Sequence, residues 1–291
     1  MKSFSQKTKE YLCRQEAENV CCCEAEMMGI LMFAGRFRGT EVRVALENRE
    51  SIERFAALAN LCLGVTVEVE TAKSSYFCVL TDKRFFEIII EYEKSKDGIR
   101  DEVMNSKCCR DAFLRGAFLG GGTIVDPNKN YNMEFVTPSK RVCVGFKKLL
   151  DSMNLGFRTV EKKSAFVLYS KNSDIICDAL AHMGAFSSQM EILNVKIERE
   201  VRNDITRTSN GETANMDKVI TAAIRQIRAI EKIDEKIGLD NLDEDLREVA
   251  ILRRDNKDLS LDQLGKQLKP PLSKSGVNHR LKKILDIAED L

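Results

Sequence analysis

Apolar and polar residues follow two rhythms along this chain, one typical of strands and one typical of helices. Glu41 to Leu46 and Tyr131 to Thr137 place apolar residues at alternate positions, which predicts strands with one buried face. Val65 to Glu70 repeats this alternation. The segment Asp111 to Thr123, DAFLRGAFLGGGT, predicts a helix with Asp111 as its N-cap and three glycines at its end. Its small residues recur every three or four positions, so a second backbone can approach closely at Gly116, Ala117 and Gly120.

The same pattern occurs twice. Glu24 to Gly35, EAEMMGILMFAG, is an upstream copy, and matching segments lie about 87 to 90 residues apart. The matched pairs are Gly35 with Gly122, Ile52 to Leu63 with Val142 to Met153, and Tyr76 to Leu80 with Ala165 to Tyr169. Each copy reads as helix, two strands, helix, two strands, helix. We therefore predict an α+β fold of two αββαββα repeats, whose glycine-rich helices pack together at a pseudo-twofold axis.

The composition changes near Lys196. Residues 196–213 contain several arginines and the turn signal Ser209-Asn210-Gly211, which predicts a basic connector between domains. A long amphipathic helix is expected from about Ala214 to Ile237, ending at Gly238. Its polar side carries Lys218, Arg225, Arg228, Lys232 and Lys236. A solvated charged face and a phosphate-binding face both fit that side.

The last 32 residues predict a helix-turn-helix. Ser260 is the expected cap of a short helix, Lys269 to Leu272 break it, and Ser273 caps a final helix. In such a motif the first turns of the second helix meet base edges in the major groove, where Asn pairs with adenine and Lys with guanine. The predicted DNA-binding residues are Lys274, Ser275, Asn278, His279, Arg280, Lys282 and Lys283, with the last two assigned to phosphates. Three-helix modules with basic faces also dock proteins, so that alternative remains open.

Composition adds limits rather than a function. The net charge is only +1, so a nucleic-acid surface has to be local. No apolar run is long enough to span a membrane, and the N-terminal MKSFSQKTKEYL lacks a signal core, so we expect a cytoplasmic protein without membrane insertion. Ten cysteines occur without a Cys-x-x-Cys pair. The adjacent runs Cys21-Cys22-Cys23 and Cys108-Cys109 lack the usual metal-ligand spacing, which favours buried reduced thiols with no metal or cofactor.

The two glycine-rich segments resemble the motif helices of LAGLIDADG homing endonucleases. The matching stretches are Met27 to Arg36 (MMGILMFAGR) and Leu114 to Thr123 (LRGAFLGGGT). The resemblance implies the same duplicated scaffold. In the nucleases an acid precedes the last glycine of each motif and holds the catalytic metals, whereas this chain has Ala34 and Gly121 there. Asp126 is a nearby acid, but a turn explains it.

A broader resemblance covers essentially the whole chain. CCRDAFLRGAFLGGGTI, NGETANMDK and above all SKSGVNHRL are similar to segments of the WhiA family of bacterial regulators. That family joins a degenerate LAGLIDADG-like domain to a C-terminal helix-turn-helix and is linked to sporulation, cell division and chromosome segregation. Its members usually carry a cysteine where this chain has Gly211, so a role for that cysteine is not expected here.

These observations together predict a non-enzymatic, nucleoid-associated DNA-binding protein that regulates transcription. The expected divisions are residues 1–104 and 105–195 for the two repeats, the connector at 196–213, and the DNA-binding domain at 214–291. The expected partners are double-stranded DNA and other transcription or division proteins, while the oligomeric state is open. The rival functions are a metal-dependent endonuclease that uses displaced acids such as Asp126, and a protein-docking scaffold.

Overall fold

The computed structural model describes residues 2–16, 19–38, 41–95 and 99–291. The chain divides into two compact units, Met1–Arg199 and Glu200–Leu291. Within the described ranges, no helix combines the length and the apolar character needed to cross a membrane.

The first unit alternates helices and short strands. Its helices are α1 (Phe4–Cys13), α2 (Val20–Ala34), α3 (Arg49–Leu63), α4 (Lys83–Lys94), α5 (Asp101–Asn105), α6 (Lys107–Gly121), α7 (Lys140–Ser152) and α8 (Ser173–Met183). Its strands are β1 (Gly35–Arg38), β2 (Glu41–Leu46), β3 (Glu70–Ala72), β4 (Ser75–Leu80), β5 (Gly122–Ile124), β6 (Met133–Thr137), β7 (Arg158–Lys162) and β8 (Ala165–Ser170).

The strands form two antiparallel four-stranded sheets with the same topology. Their strand orders are β1-β2-β4-β3 and β5-β6-β8-β7, and Val44 pairs with Cys78 just as Phe135 pairs with Leu168. In β2 the side chains alternate between exposed and buried, as its sequence predicts. The predicted duplication and α+β class are therefore confirmed. The strand expected at Val65 to Glu70 is wrong: pairing in this edge strand begins only at Glu70, opposite Phe77.

Small residues set the contact between α2 and α6. A Cβ atom at Gly116 would lie 2.0 Å from the carbonyl oxygen of Glu26, and one at Gly29 would lie 2.5 Å from that of Phe113. Further along, a Cβ atom at Gly120 would lie 2.8 Å from the carbonyl oxygen of Ile30. The contacts advance in the same direction along both helices, so α2 and α6 pack in parallel. The predicted close packing of the two motif helices is confirmed.

The expected start of α6 is wrong, whereas its expected end in the three glycines is confirmed. The helix begins at Lys107, so Asp111 lies inside it rather than at the N-cap, and it ends at Gly121 with Gly122 as its C-cap. Asp111 instead forms a hydrogen bond with His182 of α8, since its Oδ1 lies 2.7 Å from the histidine Nδ1. This pair ties α6 to α8. A carboxylate on one helix serves equally well as a cap or as a tertiary partner, and local sequence does not distinguish the two roles.

The turn expected within the basic connector at 196–213 is also wrong. A single helix, α9 (Phe186–Lys236), runs through it without a break. The hydroxyls of Thr206, Thr208 and Thr213 donate to carbonyl oxygens four residues earlier, so these threonines act within the helix instead of capping a new one. Gly211 is exposed, and a Cβ atom there would meet nothing within 4 Å. Arg199, just before this stretch, donates to the carbonyl oxygens of Pro127 and Asn128.

The helices of the second unit pack around a small apolar core. After α9 come a 3₁₀ turn at Leu239–Asn241, then α10 (Glu244–Asp255), α11 (Leu261–Gln267) and α12 (Lys274–Asp290). Ser260 and Ser273 cap α11 and α12 as predicted, accepting from the backbone N–H groups of Gln263 and Gly276. The core joins α9, α10, α11 and α12 through Ile230, Ile233, Leu246, Val249, Leu264, Leu268, Val277, Leu281 and Ile284.

Candidate nucleic-acid interface

A tight turn fixes α12 against α11. The backbone N–H of Leu272 donates to the carbonyl oxygen of Gly265 at 2.9 Å, and a Cβ atom at Gly265 would lie 2.1 Å from the Leu272 carbonyl oxygen. Only glycine allows this approach. The apolar stripe of Val277, Leu281 and Ile284 then buries one side of α12. The opposite side is presented to solvent in a fixed orientation, as in a recognition helix.

The buried side chain of Arg253 stabilises the same motif through hydrogen bonds. Its Nε donates to the side-chain oxygen of Gln226 at 3.0 Å, and its Nη1 donates to the carbonyl oxygen of Leu259 at 2.6 Å. It thereby joins α9, α10 and the loop before α11. Burial lowers the pKa of Arg253 from its ordinary value. Sequence reasoning missed this residue because a charged side chain in an amphipathic helix is expected to face water.

The first three turns of α12 carry an exposed polar surface. The exposed residues there are Lys274, Ser275, Asn278, His279, Lys282 and Lys283. Within the described chain, no carboxylate forms an ion pair with Lys274, Lys282 or Lys283. The positive end of the helix dipole adds to these charges near Lys274. The structure therefore brings six of the seven predicted DNA-binding residues to one solvent-facing surface, which we call the α12 surface.

Arg280 differs from its neighbours. It is half-buried, and its Nη2 lies 2.9 Å from the carboxylate of Asp245 at the start of α10. Its Nη1 also donates to the Asp245 carbonyl oxygen at 3.4 Å. These contacts hold α12 on α10. The guanidinium is therefore already engaged, and the structure separates Arg280 from the other predicted residues.

A groove between α9 and α12 extends the α12 surface. It has a volume of about 510 Å³ and is lined on the α12 side by Asn278 and Lys282 and on the α9 side by Lys218 and Arg225. Arg225 pairs with Glu289 at 2.7 Å, and Lys232 donates to the Ala288 carbonyl oxygen. These two basic residues of α9 therefore contact α12. Lys218 lines the same groove as Asn278 and Lys282, together with the carboxylate of Asp217.

A second cleft lies at the C-terminal end of α6, beside the end of β2. It has a volume of about 570 Å³, and Glu47 is the one carboxylate in its described lining. Gly121 stands at one acid position, and a Cβ atom there would lie 2.5 Å from the carbonyl oxygen of Val136. The backbone thus leaves no room for an acid at Gly121. Ala34, at the other acid position, ends α2 and offers no metal ligand.

Asp126 serves the turn that its sequence predicts. Its Oδ1 accepts hydrogen bonds from the backbone N–H and the side-chain amide of Asn128, at 2.9 and 3.1 Å. The backbone hydrogen bond from Asn128 lowers the pKa of Asp126 from its ordinary value. Asp126 is absent from the described lining of the cleft at the end of α6. Its contacts account for it without a metal.

The cysteine runs are placed differently from the prediction. All ten cysteines are free thiols, but Cys21 and Cys108 are exposed rather than buried. The two runs, 87 residues apart in sequence, meet in the structure. The sulfur atoms of Cys21, Cys22, Cys108 and Cys109 all lie within 4.8 Å of one another. Spacing along the chain gave no sign of this cluster because each helix supplies only two adjacent ligands.

Comparisons with known proteins agree with both units. Residues 110–202 match the WhiA LAGLIDADG-like domain, and residues 205–288 match the WhiA C-terminal HTH domain. A probable cell division protein WhiA from Alkaliphilus metalliredigens is 35% identical, with 99% of this chain and 98% of the relative covered. The chain belongs to the WhiA family. A second WhiA protein, from Alkaliphilus oremlandii, is 38% identical over 99% of this chain and 98% of its own length.

Solved structures of the WhiA family have the same fold. The full-length DUF199/WhiA from Thermatoga maritima matches with a TM-score of 0.65 and 29% identity, covering 100% of this chain and 99% of that one. The N-terminal LAGLIDADG domain of DUF199/WhiA gives a TM-score of 0.53 at 20% identity and covers 63% of this chain and 94% of that one. The predicted LAGLIDADG-like fold followed by a helix-turn-helix is confirmed.

Proposed function

We propose that this WhiA-family chain is a non-enzymatic DNA-binding regulator and that the α12 surface enters the major groove. The observation that carries the proposal is the set of exposed cations on the first turns of α12, which form no ion pair with a carboxylate in the described chain. A local basic surface on a chain of net charge +1 is the expected electrostatic footprint of duplex recognition. The match of residues 205–288, which include these cations, to the WhiA C-terminal HTH domain supports the proposal.

The α12 surface divides into base-reading and phosphate-binding parts. Lys274 and Ser275 lie at the positive helix end, where a base edge or a phosphate oxygen can accept from them. Asn278 and His279 follow one turn later, within reach of base edges when the N-terminal half of α12 lies in the groove. Lys282 and Lys283 lie further along and suit the phosphates on the groove wall. Arg280 positions α12 through Asp245 rather than touching DNA.

The LAGLIDADG-like unit supports the non-enzymatic part of the proposal. Two-metal phosphodiester cleavage requires carboxylates that bridge the metals. The cleft at the end of α6 offers Glu47 and Lys9 in their place, with Gly121 packed against Val136. The unit then serves as a second surface, for DNA or for a transcription or division partner. In this proposal the chain works at the nucleoid in the cytoplasm, and its role follows that of relatives named as cell division proteins.

The experiment is duplex selection from random DNA by the full chain, followed by affinity measurements on the selected site. We expect alanine at Lys274, Asn278 or His279 to weaken specific binding by about 1 to 3 kcal/mol. Lys236→Ala is the matched control, because Lys236 is an exposed lysine at the far end of α9 from the start of α12. Unchanged affinity in the first three variants would contradict the assigned surface.

The same preparations test the rival functions. Incubation of the selected duplex with Mg²⁺ is expected to leave it intact, and nicking that disappears in Asp126→Ala would identify an endonuclease instead. Partners captured by the full chain are expected to be lost after nuclease treatment of the lysate if DNA links them. Partners that remain in the wild type but not in the α12 variants would identify a docking module.

A further inference from the structure

The four-sulfur cluster lies where the two repeats begin. Cys21 and Cys22 are the second and third residues of α2, and Cys108 and Cys109 are the second and third residues of α6. The separation of 87 residues is the same one that relates Gly29 to Gly116 and Gly35 to Gly122. Because α2 and α6 pack in parallel, their N-terminal ends meet. A ligand held between the two cysteine pairs would therefore lie near the pseudo-twofold axis.

We propose that Cys21, Cys22, Cys108 and Cys109 bind one Zn²⁺ ion as a tetrathiolate site that joins the two repeats. Zinc binds thiolates at about 2.3 Å in a tetrahedron, which places the sulfurs about 3.8 Å apart. The four sulfurs already lie within 4.8 Å of one another. A contraction of about 1 Å, within the reach of small side-chain rotations, completes the tetrahedron. No backbone rearrangement is needed.

The compactness of the cluster selects a single ion. In a four-iron cluster each thiolate binds a different iron, so its sulfurs lie further apart than the ligands of one ion. Mg²⁺ and Ca²⁺ require oxygen ligands, whereas a tetrahedral set of four thiolates suits zinc. Two buried and two exposed sulfurs give the ion both a shielded side and a route from solvent.

The surroundings suit negatively charged sulfur. The positive dipole ends of α2 and α6 both point at the cluster, and anions are stabilised at helix N-termini. The hydroxyl of Ser106 lies 3.2 Å from the sulfur of Cys108, an outer contact of the kind that orients metal ligands. Glu24, the nearest acid along α2, is paired with Arg100 at 2.7 Å. Its carboxylate is thus engaged away from the thiolates.

The test is the metal content of the full chain, purified with its thiols reduced and dialysed against metal-free buffer. We expect about one Zn²⁺ per chain, X-ray absorption with four sulfurs at about 2.3 Å, and tetrahedral thiolate bands when Co²⁺ is substituted. Cys21→Ser combined with Cys108→Ser should reduce bound zinc at least tenfold and abolish the cobalt bands. The matched control is Cys13→Ala combined with Cys62→Ala, which removes two half-buried thiols outside the cluster and should retain the metal.

Other outcomes would overturn the proposal. These are iron in place of zinc, a disulfide between the two runs in the reduced protein, or zinc retained by the Cys21→Ser, Cys108→Ser variant. Failure of the wild type to take up either Zn²⁺ or Co²⁺ would do so as well. If the double variant does not fold, the cobalt spectrum and absorption distances of the wild type still decide whether four sulfurs bind one ion, and the single variant Cys21→Ser tests whether the cluster supplies them. A zinc-dependent rise in the Tm of the wild type, absent in the variant, would show that the ion joins the repeats.

Discussion

The guanidinium of Arg280 lies 2.9 Å from the carboxylate of Asp245, so one cation of the SKSGVNHRL segment binds α10 instead of facing solvent. Its neighbours Lys282 and Lys283 are exposed. Arg280 therefore holds the recognition helix in place, whereas Lys282 and Lys283 are available to DNA. Sequence alone assigned all three to DNA, because charge runs do not reveal which side chain meets a carboxylate 35 residues away.

This division predicts separate effects for two alanine variants. Arg280→Ala should lower the free energy of unfolding by up to about 1 kcal/mol, since partly exposed ion pairs contribute little, and should leave the salt dependence of DNA binding unchanged. Lys282→Ala should leave the unfolding free energy within about 0.5 kcal/mol and weaken binding to all duplexes. Urea unfolding and binding titrations measure both quantities. Identical profiles for the two variants would refute the division.

The Gly265 turn predicts a stability difference between two glycines of the helix-turn-helix. Gly265→Ala should destabilise the second unit by about 1 to 3 kcal/mol, because its new Cβ would lie 2.1 Å from the Leu272 carbonyl oxygen. Gly276→Ala is the control, since its Cβ would be no closer than 3.6 Å to any neighbour and it lies in α12. Alanine there should stabilise by about 0.5 to 1 kcal/mol. Thermal unfolding of both variants measures this difference, and equal Tm values would contradict the close approach at Gly265.

Among the variants predicted here, replacement of Glu26 should cause the largest loss of stability in the first unit. This fully buried carboxylate pairs with Arg54 at 3.0 Å and with Arg115 at 2.9 Å, so it links the two repeats. Glu26→Gln should destabilise by about 3 to 5 kcal/mol because it leaves two cations without their counter-ion. Glu53→Gln, in an exposed pair with Arg49, should change stability by less than about 0.5 kcal/mol. Comparable losses in both variants, measured by urea unfolding, would exclude the buried network.

Lys9 predicts a pH-dependent contribution to stability. Burial lowers the pKa of its amine from 10.5 to about 8, although Glu47 and Cys13 oppose the shift. Between pH 8 and 10.5 the unfolded chain therefore holds this proton more tightly than the folded chain, so stability should rise with pH across that window. Lys9→Met removes the titration and should lose this rise. Parallel stability curves for the wild type and the variant from pH 7 to 10.5 would contradict the assignment.

Much of the fold was predictable because its signals are local and occur twice. The alternation in Glu41 to Leu46 and the small face of Gly116 and Gly120 identify the sheets and the central helix pair. The parts that failed depend on distant partners or on competition between weak local signals. Asp111 contacts His182 on another helix, and the turn signal Ser209-Asn210-Gly211 lies inside the continuous helix α9.

In the candidate site, too, some residues could be assigned from sequence and others could not. Ser273, Lys274, Asn278 and His279 could be assigned from sequence because a capped, amphipathic helix exposes its polar side. The hydrogen bonds of buried Arg253 and the cluster formed by the cysteine runs could not be predicted from sequence, since both depend on contacts between residues that are distant along the chain.

The most direct test of the account is the salt dependence of duplex binding by the full chain, with Lys283→Ala and Lys236→Ala measured alongside. We expect the slope of log K against log salt to become less steep by about 0.9 in Lys283→Ala, because one phosphate contact and its counter-ion release are lost. Lys236→Ala should keep the wild-type slope. Equal slopes in all three proteins, or a wild-type affinity independent of salt, would contradict DNA recognition by the α12 surface.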